Sequence, residues 1–218
     1  MKSAEHFRIL PLIAGAALLL TGLQANAAGY KLADKAGASI AEFRNEIVDV
    51  KKEVDATLAS LDKIVAQATV DPRKAFKEFE KNVPRIDSAA AKAKKRGADM
   101  KEKGKNYFDK WEKELAAVND ADIRKLAEER KTKLQAAFAK IRTSMEPARD
   151  QFNTWLTDLK DLQKYLSNDL TIAGIDAAKE LIAKNKSEGL AVQQSLDKVI
   201  AELNTVVSTI TPAKAKKS

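Results

Sequence analysis

No cysteine occurs in this 218-residue chain, and its one histidine, His6, lies near the N-terminus, ahead of an apolar run. The remainder therefore lacks the commonest soft nucleophile, the commonest general base and the commonest transition-metal ligand. Disulfide staples are excluded too, so burial has to stabilise the fold. Glycine (8), proline (5) and aromatic residues (6%) are sparse, which argues for long helices rather than a sheet. No stretch alternates with period two for long enough to suggest strands. The main apolar run, Ile9 to Leu20, is interrupted by Pro11 and Gly15 and falls short of the ~20 residues a membrane span needs.

What is present near the N-terminus has the layout of a secretory signal. A charged start (Lys2, Arg8) leads into the apolar run, and the small-residue exit Ala25-Asn26-Ala27 follows. This predicts a signal peptide over 1–27, cleavage after Ala27, and a periplasmic protein beginning at Ala28. Without Lys2, Glu5 and Arg8, about 37 basic and 30 acidic residues remain, a net charge near +7. In an exported protein such a balance points to lipid headgroups, lipopolysaccharide, cell-wall carboxylates or acidic proteins, and not to nucleic acid.

The mature chain divides into four helical segments, about 31–68, 73–117, 121–167 and 172–210. The breaks are Thr69-Val70-Asp71-Pro72, Asn119-Asp120-Ala121-Asp122 and Ser167-Asn168-Asp169-Leu170-Thr171, all carrying capping side chains. Apolar residues step by three and four through Ile40, Phe43, Ile47, Val50 and Val54. After a stutter at Leu58 they resume at Leu61, Val65 and Ala68. The second segment keeps the pattern from Phe76 through Phe79, Val83, Ile86, Ala90, Ala93, Gly97, Met100, Gly104 and Tyr107 to Trp111. Short connections make neighbours antiparallel. Folding about the turns places Gly97 against Phe43; Phe79, Val83 and Ile86 against Leu159, Trp155 and Phe152; and Leu159 and Ile141 against Leu181 and Val199. The expectation is an all-α fold, an elongated antiparallel up-down-up-down helical bundle of coiled-coil type. It forms a single domain over 28–210 with a basic disordered tail over 211–218. Pro84 and Pro147 fall inside helices and should kink them.

Candidate sites are few. Tyr107, Phe108 and Trp111 have the makings of a stacking platform, but two of them continue the seam, which favours core packing. Arg130, opposite Tyr107, is placed to lay its guanidinium on that ring. Glutamates are plentiful, yet di-metal carboxylate bundles use Glu-x-x-His pairs, and no mature histidine exists. No Gly-rich phosphate loop, supported serine nucleophile, metal site or cofactor site is read here, and enzyme activity is not expected. The densest basic stretch is Lys92, Lys94, Lys95, Arg96, Lys101, Lys103 and Lys105, diluted only by Asp99 and Glu102. It is either a solvated helix face or an electrostatic footprint for an anionic envelope surface. Lys214, Lys216 and Lys217 add a second cluster in the tail.

The run Phe108-Asp109-Lys110-Trp111-Glu112-Lys113-Glu114-Leu115, with Asn119, Ser144-Met145, Phe152, Leu166, Asn168 and Leu170, resembles a family of bacterial envelope proteins. Many of its members are lipoproteins, and it is catalogued as family 2959 of the domains of unknown function. The resemblance implies a helical, exported, non-enzymatic protein and carries over no catalytic residues. This chain lacks the lipidated cysteine of the lipoprotein members. The combined expectation is a periplasmic scaffold or adaptor whose partner is an envelope protein or an anionic envelope surface, with no membrane span. The competing expectation is a holdase chaperone, which needs mobile arms or a large apolar cavity.

Overall fold

The computed structural model describes residues 21–210, with side chains from residue 31. Residues 1–20 of the expected signal over 1–27, and the tail over 211–218, lie outside the described residues. Among the described residues five helices occur: α1 (Thr21–Ala66), α2 (Arg73–Ala116), α3 (Ala121–Asn168), α4 (Ile172–Ala177) and α5 (Lys179–Ile210). Among the described residues there is no strand. At 1.5 Å per residue the three long helices run for ~65–70 Å. α1 is continuous through the expected Ala27–Ala28 junction, and the first described core side chains after it are Leu32 and Ala33.

The expected breaks fall where capping groups are available. Asp71 accepts the Arg73 amide at 3.1 Å. The Asp120 carboxylate accepts from the Asp122 and Ile123 amides at 2.9 and 3.0 Å, answering two of the donors that a helix N-terminus leaves free. Thr171 Oγ1 accepts from the Gly174 amide at 3.0 Å. Gly174 has no room for a side chain: a Cβ there would lie 2.5 Å from the Asp169 carbonyl oxygen. The fourth expected segment is two helices, because the chain breaks at Ala178. At that point the Tyr165 hydroxyl shares the Gly174 carbonyl with the Ala178 amide.

The long helices form an antiparallel up-down-up-down bundle, α1 packing along α2 and α5, and α3 along α5 and more loosely along α2. Gly97 receives Phe43 as expected; a Cβ on Gly97 would meet that ring at 3.2 Å. The α1–α5 seam closes the ring with a constant register. Arg44, Lys51, Asp55 and Asp62 meet Asn204, Asp197, Gln193 and Lys186 in turn, the first two pairs at 3.0 and 2.6 Å. Ile40, Phe43, Val54, Leu61, Phe79, Ile86, Trp155 and Leu159 are essentially inaccessible. Asn82, buried among them, donates to the Ala56 carbonyl at 3.1 Å and to Ser60 Oγ at 3.4 Å, so the polar group is satisfied where it lies.

Several details differ from the sequence reading. After Leu61 the seam of α1 continues at Ile64, while Val65 is exposed. On α5 it is Ile182 that is buried and Leu181 that faces out, so Leu159 does not have Leu181 as its core partner. The largest difference is the register between α2 and α3. Asp87 bonds Lys160 at 2.5 Å, Gly104 holds the Phe138 ring, and Glu112 meets Lys131 at 3.4 Å. Each α3 partner lies four or more residues further along than the turn geometry predicts. The cause is the connection. Ala117 continues the helical turn (φ −88°, ψ −3°) and the Val118 amide bonds the Leu115 carbonyl at 3.1 Å before Asp120 turns extended (φ −71°, ψ 122°), so the connection runs on past the end of α2. α3 therefore starts beyond α2 and overhangs it, which leaves Ile123 and Leu126 exposed. Trp155 is buried as expected but packs on α5: its indole Nε1 donates to the Asn185 carbonyl at 2.8 Å, and its ring lies over Gly189.

Candidate anion-binding face

An α-helix repeats its faces at near-whole turns, so residues four, seven or eleven apart share a side. Applied to α2, this divides the seven basic candidates. Lys92, Arg96 and Lys103 lie on the flank toward α1. Arg96 reaches Glu42 at 3.1 Å and Glu46 at 3.8 Å. Lys92 lines a polar cleft of about 240 Å³ with Glu46, Glu53 and Arg85. Lys103 bonds Asp99 at 2.8 Å, and this ammonium holds the Asp99 carboxyl below its ordinary range. Lys94, Lys101 and Lys105 lie on the flank toward α3, and Lys95 points away from the bundle. Lys105 is paired with Asp109 at 2.5 Å. Among the described residues Lys94, Lys95 and Lys101 make no ion pair. All seven lie off the packed seam: Lys103 is half-buried and the other six are exposed.

Sequence reasoning missed the contribution of α3. Asp87, Lys94, Lys101, Lys105 and Glu112 share one flank of α2. Lys131, Arg142, Arg149 and Lys160 are spaced eleven, seven and eleven apart and share one flank of α3. The outer members tie the two flanks together through Asp87–Lys160 and Glu112–Lys131. Between those ion pairs the charged positions on the two flanks are cationic, Lys94, Lys101 and Lys105 on one side and Arg142 and Arg149 on the other, among uncharged Ala98, Gln135 and Asn153. Arg149 is paired with Asp150 at 3.0 Å, and Arg142 makes no ion pair among the described residues. Glu102 and Glu146 lie further round their helices. The signal for this was in the sequence, because no carboxylate occurs between Glu129 and Glu146.

The aromatic group is core. Tyr107 is buried, Trp111 packs on it edge-on at 5.4 Å, and Phe108 meets Phe138 edge-on at 5.3 Å. Burial pushes the Tyr107 hydroxyl above its ordinary pKa, opposed by the nearby Arg130 charge. Arg130 does not cap the ring with its guanidinium as expected; its Nη2 donates to the Thr209 carbonyl at 3.1 Å. A shallow recess of about 160 Å³ remains beside Leu32, Tyr107, Lys110, Trp111 and Glu114. Among the described residues no three acidic or otherwise metal-ligating side chains converge. Likewise no described helix is long and apolar enough to cross a membrane.

The fold and this face define an all-α antiparallel bundle with a closed core and a cationic α2–α3 seam. The family model described as "Protein of unknown function (DUF2959)" matches residues 25–210, from the end of the expected signal to the end of α5. The chain belongs to this family. No curated protein and no solved structure matches it.

Proposed function

We propose that this protein works by binding and not by catalysis, as a scaffold or adaptor in the bacterial periplasm whose basic face engages anionic envelope surfaces. The observation that carries the reading is the run of α2 cations off the packed seam, with Lys94, Lys95 and Lys101 unpaired among the described residues. Export through the N-terminal signal and membership of the DUF2959 family are consistent with it. A holdase finds less support. The exposed large apolar side chains are divided between Val65, Val70, Tyr165, Ile172 and Leu181 toward one end, Ile123 and Leu126 at the other, and Leu190 along α5, not gathered into one surface.

The test is co-sedimentation with vesicles containing phosphatidylglycerol. Binding is expected at physiological salt and should weaken steeply as salt rises, because exposed charges are screened over ~8 Å. Replacing Lys94, Lys95, Lys101 and Lys105 with glutamine should abolish binding without lowering the unfolding midpoint. A wild-type protein that fails to bind at physiological salt overturns the reading, and the lysines then serve only to keep α2 solvated.

A further inference from the structure

The α2–α3 seam combines three features with no structural purpose in common. It is the loosest of the four lateral seams. By the register, Lys94, Lys101 and Arg142, none of them in an ion pair among the described residues, fall on its two walls, and like charges brought together cost stability wherever water does not screen them. And its cations sit between two interhelical ion pairs, Asp87–Lys160 and Glu112–Lys131, that join the flanks above and below them. By contrast, the α1–α5 seam alternates signs, with Lys51–Asp197 and Lys186–Asp62, and packs more closely. A seam that only held the bundle together would have been built like the second one.

We propose that the groove between α2 and α3, bounded by Lys94, Lys101, Lys105, Arg142 and Arg149, is the docking surface for the phosphate groups of an anionic lipid surface. The cations turned toward α1 take no part in this contact. This assignment rests on the envelope-binding reading and narrows it to one flank of α2 and one of α3. Lys94, Lys101 and Lys105 form a row ~16 Å long at 1.5 Å per residue. Arg142, opposite the middle of that row, supplies a planar fork suited to two phosphate oxygens. The partner is a headgroup surface and not a protein because the groove offers no apolar anchor. Every exposed large hydrophobic residue, from Val65 to Leu190, lies outside 87–112 and 131–160 on these helices. Protein interfaces depend on buried aromatic and aliphatic anchors, whereas lipid headgroups can be held by charge alone. Phosphates entering the groove would also relieve the repulsion across it, so binding should stiffen the seam and raise the unfolding temperature.

Two charge-matched variants test this on the full exported protein with phosphatidylglycerol vesicles, and with phosphatidylcholine vesicles as the uncharged control. Lys94→Gln/Lys101→Gln/Arg142→Gln should lose roughly 100-fold in affinity, about fivefold per charge. Lys92→Gln/Arg96→Gln/Lys103→Gln removes the same charge from the other flank and should lose less than about threefold, since screening weakens its reach. Exchange of cation for cation, Lys94→Arg/Lys101→Arg/Arg142→Lys, should keep most of the binding and guards against a folding defect in the first variant. If the wild type binds and the two glutamine variants lose equally, the groove assignment fails while the envelope-binding reading stands. Failure of the cation-for-cation variant to bind, or equal binding to phosphatidylcholine, also overturns the groove. If the wild type binds no anionic vesicle, both fall together.

Discussion

Trp155 and Gly189 offer the sharpest test of how the bundle is assembled. Trp155 is 1% exposed, with its indole nitrogen 2.8 Å from the Asn185 carbonyl. A Cβ on Gly189 would lie 3.0 and 3.1 Å from the indole carbons Cζ2 and Cε2, and 2.7 Å from Leu58 Cδ2. Trp155→Ala should cost ~3–5 kcal/mol through lost transfer energy and the cavity left behind. The indole hydrogen bond accounts for only ~0.5–1.5 kcal/mol of it. Gly189→Ala sets two effects against each other. Alanine is the better helix former by ~0.8–1.0 kcal/mol, while crowding a packed core costs ~1–3 kcal/mol. The Leu58 methyl ends a flexible side chain and can move aside, but the indole is held by its hydrogen bond. Crowding should therefore win, leaving a net loss of ~0–2 kcal/mol. In a Trp155→Ala background the obstacle is gone, and Gly189→Ala should stabilise by up to ~1 kcal/mol. The coupling between the two sites is then ~1–3 kcal/mol. Urea unfolding followed by far-UV circular dichroism measures all four proteins, with an unchanged m-value as the check that only stability moved. If Gly189→Ala has the same effect in both backgrounds, within the ~0.3–0.5 kcal/mol scatter of additive pairs, the indole is not seated on α5.

Three further outcomes are expected. Asp120→Ala removes the acceptor for two amides at the start of α3 and should lower stability by ~1 kcal/mol in the same urea assay; no change would mean that α3 does not start there. The stability profile against pH should be a plateau with two shoulders. Asp71, Glu78 and Asp99 have folded pKa values lowered by Arg73, Lys63 and Lys103, so their contribution is present above ordinary carboxylate values near ~4 and is lost as pH falls through the folded values. Lys184, raised by Asp158, and Tyr107, raised by burial, contribute fully below ordinary values near ~10 and lose that contribution as pH rises through the folded ones. A transition near pH ~6.5, where histidine titrates, would contradict the absence of histidine from the bundle. Finally, intact-mass measurement of the exported protein should find Ala28 as the first residue, and an apolar segment retained in membrane fractions would refute the cleaved signal.

How much of this was legible in the sequence depended on which interaction carried the information. Helix positions were legible because capping residues and the three-four spacing act locally: Asp71, Asp120 and Thr171 all cap where the sequence places them. The α1–α2 register followed from a tight turn and one small-to-large contact, Gly97 against Phe43. The α2–α3 register did not follow, because it depends on the path of residues 117–120, where Ala117 is still helical and Asp120 extended, and nothing local in those four residues says whether they turn back or reach forward. The same displacement explains why Trp155 was recognised as buried but assigned to the wrong neighbour. Periodicity reports which face of a helix is covered, and not which helix covers it.

The basic face was unreadable for a related reason. Along the chain, Lys92 to Lys105 looks like one patch, yet its residues face three ways and several are already occupied by Glu42, Glu46, Asp99 and Asp109. The cations that face Lys94 and Lys101 come from α3, between 41 and 55 residues further on, and only the observed register brings them together. With the register expected from the turn, Arg142 would oppose Ala93 to Gly97. With the observed one, anchored by Gly104–Phe138 and Asp87–Lys160, it falls level with Lys101. A connection of four residues thus decides whether the α3 arginines are scattered over the surface or form the second wall of a cationic groove. That is why the overhang of α3, which exposes Ile123 and Leu126 at apparent cost, belongs to the same design as the groove. Shortening the connection to bury those side chains would slide Arg142 and Arg149 out of line with the α2 lysines.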